Sequence, residues 1–136
     1  MEQIPARCRL TQELEATLEA CQCNGEDWEA TMDDIEARTG HYHCIHAIPN
    51  CCIIAMALVQ GARDFGRTIS IAVSVGWDTD CNGAHAGSIA GMMLGADALP
   101  ARWTEPFGDT LYSGVDRIDP LSIQELIDET VALAQP

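Results

Sequence analysis

Leu10, Leu14, Leu18 and Cys21 recur at helical spacing, and Thr11 stands where an N-cap belongs. The pattern predicts a helix over about 11–23, stopped by Asn24-Gly25. A second amphipathic helix is predicted at about 27–39. Asp27 caps it, Trp28, Met32 and Ile35 share a face, and Gly40 closes it. Residues 41–47 (HYHCIHA) have no period. Pro49 then opens a third helix, PNCCIIAMALVQ, which ends at Gly61 and is apolar on every side. Such a helix has to be covered all round. Over 65–75, Ile69, Ile71, Val73 and Val75 alternate as in a strand, yet the same residues suit a buried helix capped by Asp64. The segment AHAGSIAGMMLGADALP reads as a helix running to Gly95. Its Gly87, Gly91 and Gly95 stand four apart, which predicts a neighbouring backbone close to that face. Residues 101–118 are polar and turn-rich, with one short strand at Thr110–Tyr112. Ser122 and Glu125 form a capping box for a last helix whose core face is Ile123, Leu126, Ile127 and Val131. Asp116, Asp119, Glu125, Asp128 and Glu129 read as its N-terminal approach and exposed face. No repeat or linker interrupts the chain, so residues 1–136 are expected to form a single domain.

Composition narrows the function classes. Apolar residues make up 47% of the 136, enough for a core, so a wholly disordered chain is excluded. The net charge is −14, from 21 acidic and 7 basic side chains, and every basic residue is arginine. Neither a nucleic acid nor an anionic membrane is an expected partner for such a surface. No apolar run is long enough to span a bilayer, and the first residues, MEQIPARCRLTQELE, hold no apolar signal-peptide region. Seven cysteines without an export signal read as reduced thiols of a cytoplasmic protein.

The charge is also unevenly placed. Between residues 44 and 96 the only charged side chains are Arg63, Asp64, Arg67, Asp78 and Asp80. Two carboxylates in a neutral stretch carry a desolvation cost unless a cation offsets it. Asp80 lies just before a predicted helix, where it can accept backbone N–H bonds, and Asp78 can point to the same side from an extended loop. Converging hard oxygen donors suit Mg²⁺, Mn²⁺ or Ca²⁺. The plainer reading is a helix cap plus a turn aspartate.

Two further groupings invite chemistry. His41, His43, Cys44 and His46, with Cys21 and Cys23, lack zinc-finger spacings, and read as buried thiols and capping histidines. Cys81 and His85 stand one helical turn apart and can touch as a Cys/His pair, whereas Cys51-Cys52 has no basic partner nearby.

The stretch GWDTDCNGAHAGSIAGMMLGADALPARW resembles the C-terminal part of the ADP-ribosylglycohydrolase family. Gly76, Asp78, Thr79 and Asp80 match the family's metal loop, Gly83 to Gly95 its glycine-rich helix, and Leu99, Pro100 and Trp103 its closing element. The resemblance runs back through HYHCIHAIPNCCIIAMALVQGARDFGRTISIAVSV and forward to SIQELIDETVALA, covering roughly residues 28–134. It implies an all-α fold, an ADP-ribosylglycohydrolase-like half-domain of about six helices, and hence a helix at 65–75. It implies Mg (or Mn) as cofactor, with Asp78 and Asp80 as metal ligands and catalytic residues. Cys81 takes the third ligand position, where the family has a hydroxyl residue; a thiol there packs or orients the loop. Gly76 and Trp77 would line the ribose or adenine side. The substrate implied is ADP-ribose bound to a protein side chain.

The family's N-terminal Thr-Asp-Asp element has no counterpart here. Thr31-Met32-Asp33-Asp34 reads as a solvated face. A truncated fold leaves apolar helices to be covered, which makes a homodimer the expected assembly. Hydrolysis of an ADP-ribosyl glycosidic linkage, with the site completed by oligomerisation, is one expected function. A non-catalytic remnant acting as a binding or assembly module is the alternative.

Overall fold

The computed structural model describes residues 3–115 and 119–135; Asp116 lies outside them. The chain divides into two compact units, Met1–Ala98 and Leu99–Pro136. The described residues hold seven α-helices and one two-stranded ribbon, so the fold is all-α. No helix among them is long and apolar enough to cross a membrane.

The first unit contains α1 (Arg9–Asn24), α2 (Trp28–Thr39), α3 (Ala47–Gln60), α4 (Phe65–Ser74) and α5 (Thr79–Leu94), then a 3₁₀ turn at Ala96–Ala98. The first four of these helices start at a side-chain cap. For α1 that group is Cys8 rather than Thr11: its Sγ accepts from Thr11 N, while the Thr11 hydroxyl donates back to Pro5 O at 3.0 Å. Asp27 Oδ1 accepts from Ala30 N at 3.0 Å, and Asp64 Oδ1 from Arg67 N at 2.8 Å. The N-cap of α3 is His46, whose Nδ1 accepts from Ile48 N. Pro49 therefore sits inside the first turn, where its missing N–H is not needed.

The alternation over 65–75 does not produce a strand. Capped by Asp64, the segment forms α4, and Ile71 and Ala72 turn to the core while Val73 is 43% exposed. Burial on both sides of α4 lets a β-like pattern serve a helix, as the family resemblance implied.

The all-round apolarity of α3 has its explanation inside the chain. The helix lies centrally, packed against α1, α2, α4 and α5. Cys52, Ile53, Met56 and Ala57 are wholly buried there, with Ile35 from α2 and Ala86 from α5 beside them. The glycine face of α5 is covered by α4. A Cβ on Gly83 would stand 2.9 Å from Val73 Cγ2, one on Gly87 3.5 Å from Ile69 Cδ1, and one on Gly91 3.9 Å from Phe65. The close neighbour is thus a row of α4 side chains rather than a backbone. Gly95 does not belong to this face; it ends the helix at φ +83. Val59 on α3, 48% exposed, and Met92 and Met93 on α5, 79% and 52% exposed, are not covered by these contacts.

The second unit contains α6 (Ala101–Thr104), a 3₁₀ turn at Glu105–Phe107, strands β1 (Thr110–Leu111) and β2 (Leu121–Ser122), and α7 (Ile123–Ala134). The strands pair antiparallel, Thr110 opposite Ser122. Ser122 caps α7, its Oγ accepting from Glu125 N at 3.1 Å and donating to Asp109 Oδ2 at 2.6 Å. The expected core face of α7 is not a core. Leu126, Ile127 and Val131 are 40–51% exposed, and no residue of the helix is buried.

Candidate functional site

Gly76 ends the α4 segment at φ +75, a conformation that favours glycine and turns the chain sharply into the loop before α5. Asp78 is the N-cap of α5, and Asp80 falls in its first turn, one step later than the sequence suggests. The Asp78 side chain makes no capping bond to the helix amides. Its Oδ2 instead accepts from Asn50 Nδ2 on α3, at 2.7 Å. Among the described residues no hydrogen bond or ion pair engages the Asp80 carboxylate. The aspartates are not spent on capping.

Asp78, Asp80 and Cys81 come together: one donor atom from each lies within 4.8 Å of the others. They are the one group of three or more His, Cys, Asp or Glu side chains with this proximity among the described residues. Asp80 and Cys81 are exposed and Asp78 is half-buried. The Cys81 thiol is pushed above its ordinary value. Hydrogen bonding to Asp78 is the main cause, followed by the Asp78 charge, desolvation and the Asp80 charge. Cys81 thus stands beside the carboxylates as a protonated donor.

A cleft of about 320 Å³ opens at this point between α3 and α5. Ala47, Asn50, Cys51 and Ile54 line one wall, and Asp78, Cys81, Asn82 and His85 the other. His85 Nδ1 donates to Cys81 O at 2.7 Å, since a carbonyl can only accept. The imidazole therefore engages the backbone of residue 81, not its thiol. With that thiol pushed up, the arrangement is the opposite of an activated Cys/His nucleophile.

Gly76 and Trp77 do not line this cleft. Trp77 is half-buried and packs against the apolar core of the first unit. Asp33 and Asp34 are exposed on α2, outside the carboxylate group. Of the histidine-rich loop, His46 caps α3 and stacks on Tyr42 with ring centroids 4.4 Å apart. Cys21 is buried in the core and Cys23 is exposed.

Two residues of the site escaped the sequence reading. Asn50 is the lone polar side chain between Ala47 and Val59, a signal hidden by the apolar run around it. Asn82 is completely buried, donates from Nδ2 to Asn50 Oδ1 at 3.4 Å, and keeps a buried Oδ1 without a partner.

The donor set fits a divalent cation. Two carboxylates supply hard oxygens with lone pairs to spare, and no arginine among the described residues is paired with either. Two carboxylates fill only part of an octahedral shell; the other positions fall to water or further acids. The thiol is the wrong softness for Mg²⁺ and better suited to donating to Asp78.

The family model described as ADP-ribosylglycohydrolase matches residues 1–135. The match takes in α1, so it starts well before residue 28, where the resemblance in the sequence becomes evident. No curated protein and no solved structure gives a significant match.

Proposed function

The chain belongs to the ADP-ribosylglycohydrolase family, and from that premise we propose that it serves Mg²⁺- or Mn²⁺-dependent hydrolysis of an ADP-ribosyl glycosidic bond. The carrying observation is the pair Asp78 and Asp80, gathered at the head of α5 with neither carboxylate bound to a helix amide. Asp78 and Asp80 would hold the cation. Bound there, it would supply Lewis acidity and lower the pKa of a coordinated water. Asp78 is directed by Asn50, while Asp80, which has no partner among the described residues, adapts to the ion. Cys81 donates to Asp78 and steadies the loop. The cleft beside them is of a size that takes part of a nucleotide-sugar ligand, with Ile54 and Ala47 as its apolar wall.

Further acids complete the site in this reading, and a second copy of the chain is one source for them. The ligand set, with two carboxylates, is what motivates such a copy in this reading. A cytoplasmic location accords with seven free cysteines.

A second reading has its own support. The described residues bring only two carboxylates to the site. A chain that binds ADP-ribose or a protein partner without turnover would need no more. The deciding experiment incubates the purified chain with Mg²⁺ and an ADP-ribosyl-arginine or ADP-ribosyl-serine peptide. Release of ADP-ribose that disappears in Asp80→Ala supports the hydrolase. Absence of release at every protein concentration supports the binding module.

A further inference from the structure

Asp78 is approached by a donor that carries no charge. Asn50 Nδ2 reaches its Oδ2 at 2.7 Å from α3, and behind Asn50 lies the wholly buried Asn82, whose Nδ2 points to Asn50 Oδ1. The three side chains form a line from the interior of the α3–α5 contact to the mouth of the cleft.

We propose that Asn50 is a positioning residue for Asp78, and that Asn82 supports the way the Asn50 amide faces. The proposal rests on the cation-site reading above. A carboxylate that is to hold a cation needs a set direction and its full negative charge. An arginine or lysine at position 50 would give the direction but cancel the charge and compete with the ion. A neutral amide gives the direction alone.

The Asp78 carboxylate can only accept, so it takes the NH₂ end of Asn50, and Asn82 supports that choice from the other side. Its Nδ2 can only donate, so Asn50 must turn its oxygen inward and its NH₂ toward Asp78. A flipped Asn50 would set oxygen against carboxylate and NH₂ against NH₂, losing both bonds. Asn82 is completely buried. Side chains that hydrogen-bond a metal ligand from behind commonly change affinity by roughly 10–100-fold when removed.

The test uses the full chain and Mn²⁺ alone as the probe, titrated by electron paramagnetic resonance, with the thermal midpoint of each metal-free protein measured alongside. Wild type is expected to bind, and Asp80→Ala to lose binding. Asn50→Leu, of similar volume but without donors, is expected to bind roughly 10–100-fold more weakly. Its bound-ion spectrum should be altered, and its metal-free thermal midpoint should fall by a few degrees, because the buried Asn82 amide loses its partner. Asn50→Ser serves as a second, smaller variant and should behave alike. If either folded variant binds Mn²⁺ as tightly as wild type with the same spectrum, the positioning role is wrong and the cation site stands. If both lose affinity only in proportion to a collapsed thermal midpoint, Asn50 is structural and the proposal is overturned. If wild type does not bind, or Asp80→Ala binds equally well, the cation reading itself fails and this inference goes with it.

Discussion

Arg38 Nε on α2 donates to the buried Glu13 Oε2 on α1 at 2.9 Å, while its Nη2 reaches Thr17 Oγ1 at 3.0 Å. Glu13 is 5% exposed, and its other oxygen meets Arg9 at 3.1 Å. Removing Arg38 leaves a buried carboxylate with one largely exposed partner. A fully buried pair broken in this way costs ~3–5 kcal/mol, and the partial exposure of Arg38 lowers that here. Arg38→Ala is expected to lose about 2 kcal/mol, read as a fall in the urea midpoint with unchanged slope.

Gly61 allows the tight turn from α3 to α4. A Cβ at this position would run into Thr68 Oγ1 and stand 2.5 Å from Ala57 O and 2.9 Å from Thr68 Cα. Two of these neighbours are backbone and cannot swing away. Gly61→Ala is therefore expected to destabilise by roughly 1–3 kcal/mol, the range of an overpacked site. Gly87→Ala, whose Cβ would meet only the end of Ile69, should cost less. Thermal unfolding of the two variants side by side checks the order.

The cysteines should differ in reactivity. The Thr11 hydroxyl, when it turns from Pro5 O to donate to the sulfur, and then the Thr11 amide hold the Cys8 thiol below its ordinary value. Burial pushes Cys21, Cys51 and Cys52 up. At neutral pH Cys8 carries the larger thiolate fraction, and thiolate is the reacting form. Iodoacetamide labelling followed by mass spectrometry is expected to modify Cys8 well before Cys21, Cys51 and Cys52. Thr11→Val should slow Cys8.

Asp109 links the strand ribbon to α7. Its carboxylate accepts from Ser122 Oγ and from Gln124 N at 2.8 Å, which holds it below the ordinary carboxylate range. A lowered folded value means that the stabilisation is present above the unfolded-state value and is lost as pH falls through the folded one. Acidification below the unfolded-state carboxylate value should lower amide protection, relative to the intrinsic exchange rate, at the start of α7 as this group is protonated. In Asp109→Asn that local pH dependence should be absent.

The helices of the first unit were legible because their caps and periods agree: Asp27 and Asp64 stand where they stop the preceding turn, and both accept from the amide three residues on. The α4 segment was ambiguous for a physical reason. A helix buried on more than one side tolerates Ile69, Ile71, Val73 and Val75 in alternation, and local pattern cannot tell it from a strand. Only the resemblance across neighbouring segments decided it. The apolarity of α3 was legible; that four helices of the same chain pack on it was not, because sequence does not reveal how many neighbours a central helix gathers.

At the site, the spacing of Asp78 and Asp80 in a neutral stretch drew notice, but taken alone it suited a plain helix cap equally; the ligand reading and the place of Cys81 came from the family resemblance. Asn50 and Asn82 were not legible. Their role comes from a contact between residues 28 and 32 positions apart in the chain, which no local period records. The apolar stripe of α7 reads as core by the same rule that works for α1 and α2, yet its residues stay exposed. Amphipathicity states which face is able to be buried; it does not supply the partner.

The central claim is that Asp78 and Asp80 share a divalent cation. Diffraction from crystals soaked in Mn²⁺, recorded near the manganese absorption edge, tests it without reference to turnover. The expected result is an anomalous peak within coordination distance of both carboxylates. Ordered Asp78 and Asp80 side chains with no peak between them at saturating Mn²⁺ would contradict it.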